Sequence, residues 1–172
     1  GGPSLEQISK KGSNVRFNFP RPLLKSHDCN FSFSGLKTSL IREVKEIEPL
    51  TENDLADIAS SYQQAIIDCL REKSSRAISI AKEEYKDLNI KYFVAAGGVA
   101  SNKAIGKSLN ELALRNNMEF VAPPIKFCTD NAAMIAWAGG LRLLNGQKDS
   151  LEISIKSRWP LNEMKINGGM HE

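Results

Sequence analysis

The residues of this sequence best suited to chemistry stand where helices are expected to begin. Asn102 closes the run KYFVAAGGVASN at residues 91–102, in which Tyr92-Phe93-Val94-Ala95-Ala96 reads as a buried strand and Gly97-Gly98 stops it. From Ser101 the pattern turns helical, with Ile105, Leu109, Leu112 and Ala113 at helical spacing. A strand that empties through glycines into a helix makes a ligand site. Glycine lets the backbone approach a ligand with no Cβ in the way, and the helix start offers unpaired N–H groups and a partial positive charge. Asn102 can donate and accept, which suits ribose hydroxyls or a base edge. Asp130 follows Thr129, a good N-cap, and is expected in the first turn of the helix begun by CTDNAAMIA. Its carboxylate suits a general base, a metal ligand or a helix-start acid. In GGPSLE, Pro3 suits a first helical position, Gly2 the N-cap, and Glu6 falls one turn along on nearly the same face. On spacing alone Glu6 reads as an acid complementing its helix dipole.

The elements that must hold these residues alternate in type. A short opening helix stops near Gly12. The stretch FNFPRPLL at 17–24 is extended, because its prolines exclude helix from themselves and from the residues before them. Residues 30–35, NFSFSG, alternate like a strand and place Phe31 and Phe33 toward a core. A helix over 36–47 shows a stripe of Leu36, Leu40, Ile41 and Val44, and His27 precedes it in a polar, exposed linker. Thr51 and Asp54 form a capping-box-like pair. They open a long core helix through Leu55, Ile58, Ala59, Tyr62, Ala65, Ile66, Cys69 and Leu70 toward Tyr85, with a break expected near Ser74-Ser75. A helix over 103–115, a strand over 119–121 and a helix ending before Gly146 complete the pattern. The adjacent Gly139 and Gly140 weaken that last helix by about 1 kcal/mol each relative to Ala, so close packing or a ligand is expected to require them. The fold class is α/β, a sheet flanked by helices, in which strand-exit junctions gather at the carboxyl edge where ligands bind.

A chain of 172 residues supports one domain with a real core, and 41% hydrophobic with 25% charged residues is ordinary for a globular protein. The net charge of +3 reads as a solvated surface with a slight lysine excess, compatible with an RNA partner without arguing for one. Cys29, Cys69 and Cys128 form no C-x-x-C pair, so a zinc ribbon or disulfide framework is not indicated and a reducing, cytoplasmic setting is expected. Cys69, inside an apolar stripe, reads as a small buried residue. No apolar run reaches the ~18 residues of a membrane span, and no signal peptide is recognisable.

Taken together, GGPSLE, FNFPRPLL, FSFSGLKT, VAAGGVASN and CTDNAAMIA, in this order, resemble the C-terminal half of the tRNA N6-adenosine threonylcarbamoyltransferase family of the bacterial TsaD type, and RWPL at 158–161 resembles that family's tail. The resemblance covers residues 1–161 and leaves 162–172 as a loose tail. It implies the actin-like ATPase (ASKHA) fold, the two-lobed architecture shared with sugar kinases. It also implies transfer of a threonylcarbamoyl group from threonylcarbamoyl-AMP to the adenosine beside the anticodon of tRNAs reading codons that begin with A. Residue by residue, Gly2, Glu6 and Asn102 match positions contacting the nucleotide's sugar region, and Asp130 matches an acid binding one divalent metal, iron or zinc. No residue separately catalytic is identifiable. The implied partners are tRNA, a paralogous inactive subunit and the small ATPase of the bacterial modification complex, with no membrane.

The departures bear on the same site. The family's H-x-x-x-H pair is absent, since His27 and His171 lie far apart, and the first lobe's phosphate-binding loop is missing too. A chain opening at the family's GGP motif therefore reads as the C-terminal part of a longer enzyme, inactive by itself. A single aspartate falls short of the roughly three or four ligands a metal needs. Two other readings attach to the resemblance: a metal-dependent glycoprotein endopeptidase, for which no H-E-x-x-H stands here, and a non-catalytic partner lobe.

Overall fold

In the computed structural model, residues 2–148, 150 and 152 are described, and the chain forms two compact units, 1–129 and 130–172. The RWPL stretch and the expected tail lie outside the described residues.

The first unit is organised on one long helix. Its elements are α1 (Gly2–Ser9), α2 (Ser34–Glu46), α3 (Glu52–Glu84), β1 (Tyr92–Val94), a short 3-10 turn (Gly98–Ser101), α4 (Lys103–Arg115) and β2 (Glu119–Val121). The 33 residues of α3 run unbroken through Ser74-Ser75, where a break was expected. At 1.5 Å per residue they span about 50 Å. The helix begins on a complete capping box: Thr51 Oγ1 accepts from the Asp54 N–H, and the Asp54 carboxylate accepts from the Thr51 N–H.

Different stretches of α3 serve different parts of the core. The N-terminal half packs Ile58, Tyr62 and Ala65 against Phe17, Phe19 and Leu36, with Phe19 edge-on to Tyr62 at 5.6 Å. Phe17 and Phe19 thus wedge between α3 and α2, while residues 22–25, where an extended chain was expected, form a turn with Leu23 at φ +57°. Further along, Ile67 meets Ile105 and Leu109 of α4, and Ile78 meets Leu112, Ala113 and Met118. β1, α4 and β2 form a parallel strand–helix–strand unit in the register Tyr92 to Glu119, Phe93 to Phe120 and Val94 to Val121. Phe93 and Phe120 point under α4, their rings 5.9 Å apart. Asn117, at φ +57°, turns the chain out of α4, and the Met118 N–H returns to the Ala113 carbonyl.

Two more expectations for this unit are corrected. Residues 30–33 form no strand, and Phe31 is half exposed, stacked on Phe33 at 6.3 Å with rings 9° apart. The Phe33 main chain is the N-cap of α2, so the alternation marks a helix entry and not a sheet. Ile41 is exposed, and the core-facing stripe of α2 is the buried Leu36 with the partly buried Leu40 and Val44.

The second unit contains α5 (Ala132–Leu144), ended at Asn145 and Gly146, the latter at φ +74°. Its N-cap is Asn131, whose side chain accepts from the Met134 N–H. Asp130 therefore lies just before the cap and not in the first turn. An Asn two residues downstream displaced Thr129, because it too accepts well from a first-turn N–H. Gly139 and Gly140 do not serve close packing within the described residues: a Cβ at either would meet no atom within 4 Å.

Candidate functional site

The site is built where α4 begins. Gly97 sits at φ +88°, ψ 173°, a region open essentially to glycine alone, and it releases the chain from the strand into the 3-10 turn. A Cβ on Gly98 would make only an ordinary 4.0 Å contact with Thr129, so this second glycine leaves room that the chain itself does not fill. The turn is held by Ser101 Oγ donating to the Gly98 carbonyl at 2.6 Å. Asn102 then takes an extended backbone, φ −72° and ψ 120°, and caps α4: its Oδ1 accepts from the Ala104 N–H at 3.0 Å and the Ile105 N–H at 3.1 Å.

Glu6 reaches the same helix start from 97 residues away, its Oε1 accepting from the Lys103 N–H at 3.1 Å. The next amide, Gly106 N–H, donates to the Asn102 carbonyl. Every amide of the first turn of α4 is thereby used. This corrects the expectation that the helix start offers unpaired N–H groups: a carboxylate and a carboxamide of the chain itself occupy the place an incoming phosphate would take. The Glu6 carboxylate, favoured there by the helix dipole, would also repel an anion.

Side-chain edges remain available for a ligand. Glu6 Oε2 has no protein partner among the described residues. Asn102 Nδ2 carries two hydrogens, and one of them donates to Gln63 Oε1 at 2.8 Å. An acceptor and a donor left over at one helix start suit a neutral polyol, whose hydroxyls do both, better than a phosphate. Gly2, at the exposed start of α1, lies on the same helix as Glu6, and a Cβ there would touch nothing. Of the residues singled out from the sequence, Glu6 and Asn102 come together. Asp130 belongs to the second unit.

Among the described residues, no group of three or more His, Cys, Asp or Glu could hold a metal ion. Asp130 by itself does not make a metal site. His27 is exposed, and Cys69 is buried with its thiol pKa pushed up by burial.

Two polar residues of α3 were missed from the sequence. One is Gln63. The other is Lys73, 2% exposed, whose Nζ donates to the Ser26 carbonyl, Ser26 Oγ and the Asp28 carbonyl at 2.7–3.0 Å and faces Asp28 Oδ1 at 3.5 Å. Their signal was a polar residue inside an apolar helical stripe, whose partner spacing cannot reveal.

The family model for tRNA N6-adenosine threonylcarbamoyltransferase (TsaD) matches residues 1–137. The chain belongs to the threonylcarbamoyltransferase family. Its relatives include proteins named tRNA N6-adenosine threonylcarbamoyltransferase from Brucella suis, Brucella ovis and Brucella melitensis, each 45% identical over 163 residues, or 95% of this chain. The chain spans 45% of their length. Glu6, Asn102 and Asp130 all fall inside the part that the threonylcarbamoyltransferase model matches. No helix among the described residues is long and apolar enough to cross a membrane.

Proposed function

We propose that this chain is the C-terminal part of a tRNA-modifying threonylcarbamoyltransferase with the two-lobed actin-like fold, and that the start of α4 holds the ribose of threonylcarbamoyl-AMP. The observation that carries the reading is the convergence of Glu6 and Asn102 on one helix start, with an acceptor and a donor left over. Glu6 Oε2 would accept from one ribose hydroxyl and Asn102 Nδ2 would donate to the other, while Gly2 and Gly98 leave room for close approach. The phosphate would lie away from α4, toward residues outside this chain. The acceptor is the adenosine amine beside the anticodon of tRNAs reading codons that begin with A. Asp130 is retained as one oxygen ligand of a divalent metal, iron or zinc, completed by residues outside this chain. The partners would be a paralogous subunit and a small ATPase, in the cytoplasm. No observation favours the endopeptidase or the inactive lobe.

The test expresses the complete gene product in cells lacking their own enzyme and measures threonylcarbamoyladenosine in total tRNA by mass spectrometry. Glu6→Ala should lower the transfer rate at least about tenfold, equivalent to about 1.4 kcal/mol. A rate equal to the parent's would overturn the ribose reading. Asp130→Ala should purify with less bound metal, and an unchanged metal content would remove its role.

A further inference from the structure

We infer that Gln63 is a positioning residue for the nucleotide, acting through Asn102. The inference rests on the reading that Asn102 contacts the ribose. An asparagine side chain on its own is loosely held, because its terminal torsion is broad and roughly two-fold. Here the oxygen end is fixed by two backbone N–H donors, Ala104 and Ile105. A flipped amide would face its NH2 at those donors, so the assignment of Oδ1 and Nδ2 follows from the bonds themselves. Two bonds to the oxygen fix where the amide sits but leave its plane free to rock. Gln63 Oε1 removes that freedom by taking one Nδ2 hydrogen at 2.8 Å. The other hydrogen has no protein partner among the described residues, and it is the one left to meet a ligand.

Gln63 is well placed to impose this geometry. It follows the buried Ser61 and Tyr62 and precedes the fully buried Ala65 on α3, so its backbone is fixed by the core. The bond joins the N-terminal half of α3 to the N-cap of α4 across 39 residues of sequence. The Asn102 amide is thereby oriented before a ligand arrives, and the cost of ordering it is not left to binding.

The test uses the complete gene product with threonylcarbamoyl-AMP as the varied substrate, on variants whose melting temperatures match the parent's. Gln63→Leu keeps bulk and removes the acceptor. It should raise KM about five- to tenfold with kcat changed less than about twofold, the loss of one hydrogen bond. Gln63→Glu restores an acceptor oxygen and should recover most of that loss, which a mere packing role would not do. Asn102→Asp keeps both cap bonds but puts a charged oxygen where the donor stood. It should raise KM at least as much as Gln63→Leu, and the double variant Gln63→Leu with Asn102→Asp should be little worse than Asn102→Asp alone. If Asn102→Asp raises KM and Gln63→Leu does not, the inference about Gln63 is overturned while the ribose reading stands. If Asn102→Asp leaves KM unchanged, the ribose reading fails and the inference falls with it. Should Gln63→Leu melt below the parent, the side-chain amide proton of Asn102 decides by NMR. An unaltered Asn102 NH2 resonance in that variant would also overturn the inference.

Discussion

Asp54 carries more than its helix cap. Its Oδ2 accepts from Thr51 Oγ1 at 2.6 Å and from the Thr51 N–H at 2.9 Å, while Oδ1 faces the Arg16 guanidinium at 2.6 Å. These contacts, the Thr51 hydroxyl first, lower its pKa from 3.8 to about 2. Asp57 is lowered chiefly by the Ser13 N–H and Asp28 chiefly by the Asn30 N–H. A carboxylate with a depressed folded pKa contributes stability that is present above its unfolded value and lost as pH falls through the folded one. The chain should therefore keep this stability above about pH 4 and lose it progressively toward pH 2. Asp54→Asn resembles the protonated residue. In thermal melts it should unfold below the parent at pH 7, with the gap closing toward pH 2, and a gap constant with pH would reject the account. The Thr51–Asp54 pair was legible in the sequence because both partners lie within one turn. Gln63 and Lys73 were not, since their partners lie 39 and at least 45 residues away and no local rule selects among distant polar groups.

At the scale of elements, α3 makes the site possible by holding α1, the loop before α2, and α4 at once. Where α1 ends, a Cβ on Gly12 would fall 2.0 Å from the Ala56 carbonyl oxygen of α3. That glycine is there for close backbone approach, and α1 is the element that brings Glu6 to α4. Gly12→Ala should cost about 1–3 kcal/mol in denaturant unfolding and, if Glu6 holds the ribose as proposed, weaken threonylcarbamoyl-AMP binding by the complete gene product by displacing Glu6. Parent-like values of both would show that α1 tolerates the shift. Lys73 ties the loop at 26–28 to α3 with bonds to carbonyls and a partly exposed carboxylate. Lys73→Met should destabilise by about 1.5–3 kcal/mol, the range for hydrogen bonds to a charged group, read from the same unfolding curves. Periodicity located α4 and β2 to the residue, because amphipathic spacing, Asn116-Asn117 and Pro123-Pro124 all agreed on their limits. It failed at 30–33, where a two-residue alternation is too short to separate a strand from a helix entry. It also failed at α5, where Thr129 and Asn131 competed for one cap.

At the scale of the whole molecule, the sheet is the least complete part of the first unit. Parallel sheets are normally covered on both faces, and two strands alone are marginal. Here α4 covers Phe93 and Phe120, while Tyr92, Val94 and Val121 on the other face are 56%, 62% and 38% exposed. The register sets Val94 directly beside Val121, so these residues make one apolar patch and not scattered exposures. Water against that patch is a free-energy cost of about 25 cal/mol for each Å² of apolar surface, and self-association relieves it. Purified by itself, the chain should therefore bind an apolar dye and associate as its concentration rises, as seen by sedimentation velocity. The double variant Val94→Thr with Val121→Thr keeps β-branched shape and strand propensity while making the patch polar. It should reduce dye fluorescence by about half and shift association to about tenfold higher concentration, the change expected from roughly 1.4 kcal/mol of lost burial. Because Phe93 and Phe120 are untouched, the melting temperature should hold. If the double variant associates like the parent, the attraction comes from other exposed apolar side chains of the described residues, of which Trp137, at 71% exposure, is the largest.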